Sequence, residues 1–136
     1  MSKVAVVYWS GTGHTEAMAN AIAEAAGAEC FTASEFDAAK VPEYDVIAFG
    51  CPSMGAEELE ETEFAPMFEA CKPALSGKKI ALFGSFGWGD GEWMRNWEDR
   101  CKAAGANLVS DSVTVNESPD AAGVENCKKL GASLAS

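Results

Sequence analysis

Three short stretches of this chain gather residues whose types and spacing suit ligand chemistry. Ser10-Gly11-Thr12-Gly13-His14-Thr15 supplies three hydroxyls and two glycines directly ahead of a helical pattern. That composition suits an anion cradle, because hydroxyls and first-turn N–H groups can converge on negative charge. No Lys follows the glycines, and Glu16 stands where a dinucleotide fingerprint has its third glycine. Nucleoside triphosphates and NAD are therefore disfavoured. The same residues also suit a plain turn with no ligand.

In Ser85-Phe86-Gly87-Trp88-Gly89-Asp90-Gly91, glycines flank one large indole. Trp88 either stacks on a planar ligand or folds back as core, where large aromatics usually go. Cys51-Pro52-Ser53-Met54-Gly55-Ala56-Glu57 pairs a turn-forming Met-Gly with the start of an acidic run, Glu57, Glu58, Glu60, Glu61 and Glu63. Such a run is a solvated face or, beside a pocket, a docking surface. No nucleophile or metal motif accompanies these carboxylates, so hydrolysis is not expected.

The elements that must position these stretches follow from hydropathy. Val4–Trp9, Val46–Phe49 and Ile80–Phe83 are nearly continuous apolar runs, as strands covered on both faces require. Glu29–Thr32 and Leu108–Val115 are weaker strands suited to the flanks, which makes five. Met18, Ile22 and Ala25 recur at helical spacing ahead of Gly27. Phe64, Met67, Phe68, Cys71 and Leu75 mark a second helix, with Thr62 as its N-cap and Pro66 in its first turn. Met94, Trp97, Cys101 and Ala104 mark a third, closed by Gly105. Val124, Cys127, Leu130 and Leu134 mark a fourth, starting near Ser118-Pro119-Asp120. Ser34–Tyr44 has room for at most one irregular helix. Trp93 and Trp97 are expected in the core, with Tyr8 and Trp9 packed at a strand end. Strands alternating with helices predict a parallel sheet, and open parallel sheets take ligands outside the carboxyl ends of their strands. All three unusual stretches leave from that edge.

A chain of 136 residues suits one domain spanning 1–136. Ten Lys and Arg against 21 Asp and Glu give a charge of -11, which would repel nucleic-acid phosphates and anionic membranes alike. The first residues carry no secretory pattern, so a cytoplasmic location is expected. Cys30, Cys51, Cys71, Cys101 and Cys127 form no C-x-x-C pair and there is one histidine, His14. Neither a disulfide framework nor a metal centre is expected, and most of these thiols should be buried apolar residues.

Three matching stretches, Val6-Val7-Tyr8-Trp9-Ser10-Gly11-Thr12-Gly13-His14-Thr15-Glu16, Gly50-Cys51-Pro52-Ser53-Met54-Gly55 and Leu82-Phe83-Gly84-Ser85-Phe86-Gly87-Trp88-Gly89, strongly resemble a short-chain flavodoxin in order and interval. The resemblance runs nearly end to end. It implies a flavodoxin-like three-layer sandwich: a five-stranded parallel sheet in order 2-1-3-4-5 with helices on both faces. It also implies a low-potential one-electron carrier with non-covalent FMN, monomeric, docking transiently to redox enzymes with basic surfaces.

Carried onto this sequence, Ser10, Gly11, Thr12, Gly13, His14 and Thr15 hold the FMN phosphate. Met54 and Trp88 flank the ring, while Pro52, Ser53, Gly55, Ala56 and Glu57 belong to the loop along its edge. Ser85, Phe86, Gly87, Gly89 and Asn116 belong to the ring and ribityl contacts. The turn starting at Met54 is implied to rearrange on one-electron reduction so that the Gly55 carbonyl meets flavin N5–H, with Ala56 at a position of positive φ. This chain departs from the family at His14, where Asn is common, and at Ala56, where a polar residue is usual. A small FMN-dependent reductase is the alternative, separable by steady-state assay with NADH or NADPH. A flavin-free signalling domain of this fold is a third reading, but Gly50-Cys51 offers no phosphoacceptor Asp.

Overall fold

The computed structural model describes residues 3–9, 13–52, 62–86, 92–109, 112–116 and 121–135. Its elements in chain order are β1 (Val4–Tyr8), α1 (His14–Ala26), β2 (Glu29–Thr32), β3 (Val46–Gly50), α2 (Phe64–Cys71), β4 (Lys79–Phe86), α3 (Glu92–Ala103), β5 (Asn107–Leu108), β6 (Val113–Asn116) and α4 (Ala121–Ala135). The sheet is parallel in order β2-β1-β3-β4-β5, with β6 also paired to β4.

Alternation along the central strands divides the core into two layers. Ala5, Val7, Ile47, Phe49, Ile80 and Leu82 pack with α2 and α3 through Phe68, Cys71, Trp97 and Cys101. Val4, Val6, Val46, Ala48, Ala81 and Phe83 pack with α1 and α4 through Met18, Ile22, Cys127 and Leu130. Every residue of β1 and β3 is buried, which is why those strands read as unbroken apolar runs.

The expected fifth strand, Leu108–Val115, is instead two pieces along one edge of β4. Leu108 pairs with Ile80 and Val113 with Phe83, so the outer chain uses more residues than β4 to cover the same edge. The intervening Ser110-Asp111-Ser112 is rich in residue types that strands disfavour.

Ser34–Tyr44 also differs from expectation, holding two 3-10 turns, Ala33–Glu35 and Ala38–Glu43. Each has its own cap: the Glu35 carboxylate accepts from the Thr32 N–H, and Asp37 Oδ1 accepts from the Ala39 N–H. Two caps so close together nucleate two turns instead of one helix. The second helix has Glu63, not Thr62, at its N-cap. Its last turn, Lys72–Leu75, is 3-10, because Pro73 has no N–H to continue the α pattern. Ser118, Pro119 and Asp120 lie outside the described residues.

Candidate functional site

The register places Tyr8 against Gly50 and Gly50 against Phe83, and Phe86 against Asn116. The carboxyl ends of β1, β3, β4 and β6 therefore open on one edge. Strand order reverses there, because β1 lies between β2 and β3. Gly13–Thr15, Cys51–Pro52, Ser85–Phe86 and the backbone of Asn116 lie along this edge. Ser10, Gly11, Thr12, Ser53, Met54, Gly55, Ala56, Glu57, Gly87, Trp88 and Gly89 fall outside the described residues.

At the amino end of α1, Gly13 is the N-cap with φ 93° and ψ -8°. A side chain there would be strained by the left-handed backbone even though a Cβ meets nothing within 4 Å. Glycine provides no side-chain cap, so this position leaves the first-turn donors to another acceptor. His14 is exposed.

Thr15 and Ser85 are the buried polar residues among those described, 1% and 4% exposed. Their hydroxyl oxygens lie 3.1 Å apart, tying α1 to β4. Ser85 thus sits under the start of α1. No Lys or Arg occurs in 10–15 or 85–89. The donor set is N–H dipoles and hydroxyls, which suits a phosphate monoester.

Beside this cradle the Tyr8 hydroxyl donates to Glu16 Oε2 at 3.1 Å. Burial, then the hydrogen bond and charge of Glu16, push the phenol up to about 12. Tyr8 stays a donor at any physiological pH and fixes the one carboxylate in the first turn of α1.

On the other flank, Trp93 Nε1–H donates to the Cys51 carbonyl at 3.3 Å, and its ring meets Phe86 with centroids 5.5 Å apart. Sequence reasoning placed Trp93 in the core, where it lies 2% exposed, but missed its polar contact with the start of the second loop. The available signal was chemical: a buried indole N–H needs an acceptor.

Glu16 and Glu63 sit at helix amino ends, and Glu57, Glu58, Glu60 and Glu61 of the acidic run lie outside the described residues. Lys3 precedes β1, Lys79 begins β4 with Lys78 just ahead of it, and Lys102 lies in the last turn of α3, while Glu29 begins β2 and Asp45, which accepts from the Lys3 N–H, precedes β3, so both signs meet at the amino edge. Among the described residues, no helix is long and apolar enough to cross a membrane.

The family pattern described as flavodoxin matches residues 6–131. The chain is 48% identical to the flavodoxin of Megasphaera elsdenii, with 97% of this chain and 98% of that protein covered. It is 42% identical to the flavodoxin of Clostridium beijerinckii, covering 96% and 97% respectively. The solution structure of two-electron reduced Megasphaera elsdenii flavodoxin superposes with a TM-score of 0.89 at 46% identity, over 97% of this chain and 98% of that one. With an uncharged donor cradle at the switch point of a 2-1-3-4-5 sheet, the chain belongs to the flavodoxin family of flavin-binding electron carriers.

Proposed function

We propose that the flavin is FMN and that residues 1–136 form one FMN-binding unit. Ser10, Gly11, Thr12, Gly13, His14 and Thr15 hold its phosphate through N–H groups and hydroxyls. Met54 and Trp88 enclose the ring, Pro52, Ser53, Gly55, Ala56 and Glu57 follow its edge, and Ser85, Phe86, Gly87, Gly89 and Asn116 complete the pocket. Bound FMN supplies one-electron chemistry; the chain orients it and excludes water from its faces. The acidic carboxyl edge attracts redox enzymes with basic surfaces, the protein acting as a cytoplasmic monomer. The net charge of -11 supports that attraction to basic surfaces.

One observation carries the choice of FMN: a glycine-capped helix start beside the buried Thr15–Ser85 hydroxyl pair, with no cation in 10–15. Such a cradle recognises phosphate by donor geometry and rewards FMN over riboflavin. Titration of flavin-stripped protein with each, followed by quenching of flavin fluorescence, tests this. FMN is expected to bind at least tenfold tighter; equal affinities would overturn the assignment. Trp88→Ala should weaken both ligands, since stacking is worth about 0.5–1.5 kcal/mol beyond area burial.

A further inference from the structure

Thr15 belongs to the first turn of α1 and Ser85 to β4, seventy positions apart, yet their oxygens share a hydrogen bond at 3.1 Å. Each hydroxyl has one hydrogen and two lone pairs. One hydrogen lies between the two oxygens, so the pair has one more to donate outward. In one arrangement Thr15 donates to Ser85 and the spare hydrogen sits on the strand. In the other, Ser85 donates to Thr15 and the spare hydrogen sits at the start of the helix.

A pair that merely fastened α1 to β4 would gain little over apolar side chains of the same shape, because two neutral hydroxyls exchange water for each other at small net gain. Among the described residues every other buried side chain is of a hydrophobic type. An anion at the helix start changes the balance. A hydrogen bond to charge is about twice as strong as a neutral one, and a donor chain polarises along its length. With no Lys or Arg in 10–15 or 85–89, hydroxyl direction carries more of the binding than it would beside a cation.

We infer that Ser85 is a positioning residue for the phosphate: by donating to Thr15 Oγ1, it turns the Thr15 hydrogen toward the anion. The inference rests on the proposed reading of the cradle as the FMN phosphate site. Ser85 acts through Thr15, which distinguishes it from the direct ring or ribityl contact that the family resemblance alone implies.

The test uses Ser85→Ala, Thr15→Val, Thr15→Ser and the double variant Ser85→Ala/Thr15→Val, titrated with FMN and with riboflavin, together with the phosphorus NMR spectrum of FMN-loaded protein. Ser85→Ala should lose roughly fivefold to twentyfold in FMN affinity, between the value of a neutral hydrogen bond and that of one to a charged group, while riboflavin affinity changes less than twofold. The double variant should bind FMN no more weakly than Thr15→Val alone. Thr15→Ser should restore discrimination, and the bound phosphorus resonance should move in Ser85→Ala. Equal losses of FMN and riboflavin affinity in Ser85→Ala, or additive losses in the double variant, would overturn the inference. If wild type discriminates and Ser85→Ala discriminates equally well, Ser85 has no such role although the cradle stands. If wild type itself binds both flavins equally, the cradle reading fails, and this inference with it.

Discussion

The indole nitrogen of Trp93 lies 3.3 Å from the carbonyl oxygen of Cys51 and donates to it, joining the first turn of α3 to the residue that leaves β3. The same carbonyl is the atom that a Cβ on Gly84 would approach to 2.2 Å. Close approach of β4 and the hydrogen bond from α3 thus converge on the peptide that launches the second loop.

Two substitutions separate those contributions. Trp93→Phe keeps an aromatic ring but removes the donor, and should cost about 1 kcal/mol. Gly84→Ala should cost about 1–3 kcal/mol, because the obstruction is backbone and cannot rotate aside. Urea unfolding of both variants checks the ranking; a neutral Gly84→Ala would refute the close approach.

Alkaline stability follows from buried groups. Burial pushes the thiols of Cys71 and Cys127 up to about 11, and that of Cys101, with smaller contributions from nearby charges, up to about 12. Tyr8 is likewise raised to about 12. These folded values exceed the unfolded ones, so the native state keeps protons that the unfolded chain releases. Their contribution is full below pH 9 and is lost as pH rises from about 9 to about 12. Urea midpoints at constant salt should fall above pH 9; a rise there would contradict the burial assignment.

Thiol chemistry should sort the same residues by exposure. Cys30 is exposed, whereas Cys51, Cys71, Cys101 and Cys127 are buried. Partial desolvation of its sulfur, then the carboxylates of Glu16 and Glu35, push the Cys30 thiol up, so it should react more slowly than a free thiol. A disulfide reagent at pH 8 should modify one cysteine in native protein and five after unfolding. Cys30→Ser should abolish the native reaction.

The net charge of -11 bears on the second electron, which leaves the flavin anionic. Raising ionic strength should screen that repulsion and move the second one-electron potential upward, while slowing electron transfer to a basic partner. Potentiometry and stopped-flow kinetics over a salt series check both; a flat or falling potential would remove electrostatics as the cause.

Ala56 should restrain the first electron. The turn implied by the family resemblance needs positive φ there, at a cost to a non-glycine residue of roughly 1–2 kcal/mol, and about 1.4 kcal/mol corresponds to 59 mV for one electron. Ala56→Gly should raise the first one-electron potential by some tens of millivolts with affinity for oxidised FMN nearly unchanged. An unchanged or lowered potential at one pH would exclude Ala56 from redox control.

The sequence alone determined the layers and the family. Strands covered on both faces must be apolar at every position, so Val4–Trp9 and Val46–Phe49 were legible as central strands, which the structure bounds at Val4–Tyr8 and Val46–Gly50. The spacing of Met18 and Ile22 likewise identified the buried stripe of α1. The three loops were legible because glycine, hydroxyl and tryptophan residues interrupt the hydropathy pattern. Tertiary structure decided what depends on register. The division of the fifth strand was set by which part of β4 lies opposite Leu108 and Val113. Thr15 meeting Ser85, and Trp93 meeting Cys51, depend on how far α1 and α3 slide along the sheet. Local propensity carries no record of that distance: a hydroxyl on β4 or an indole on α3 reads the same whether it touches a ligand, a backbone carbonyl or another side chain seventy residues away.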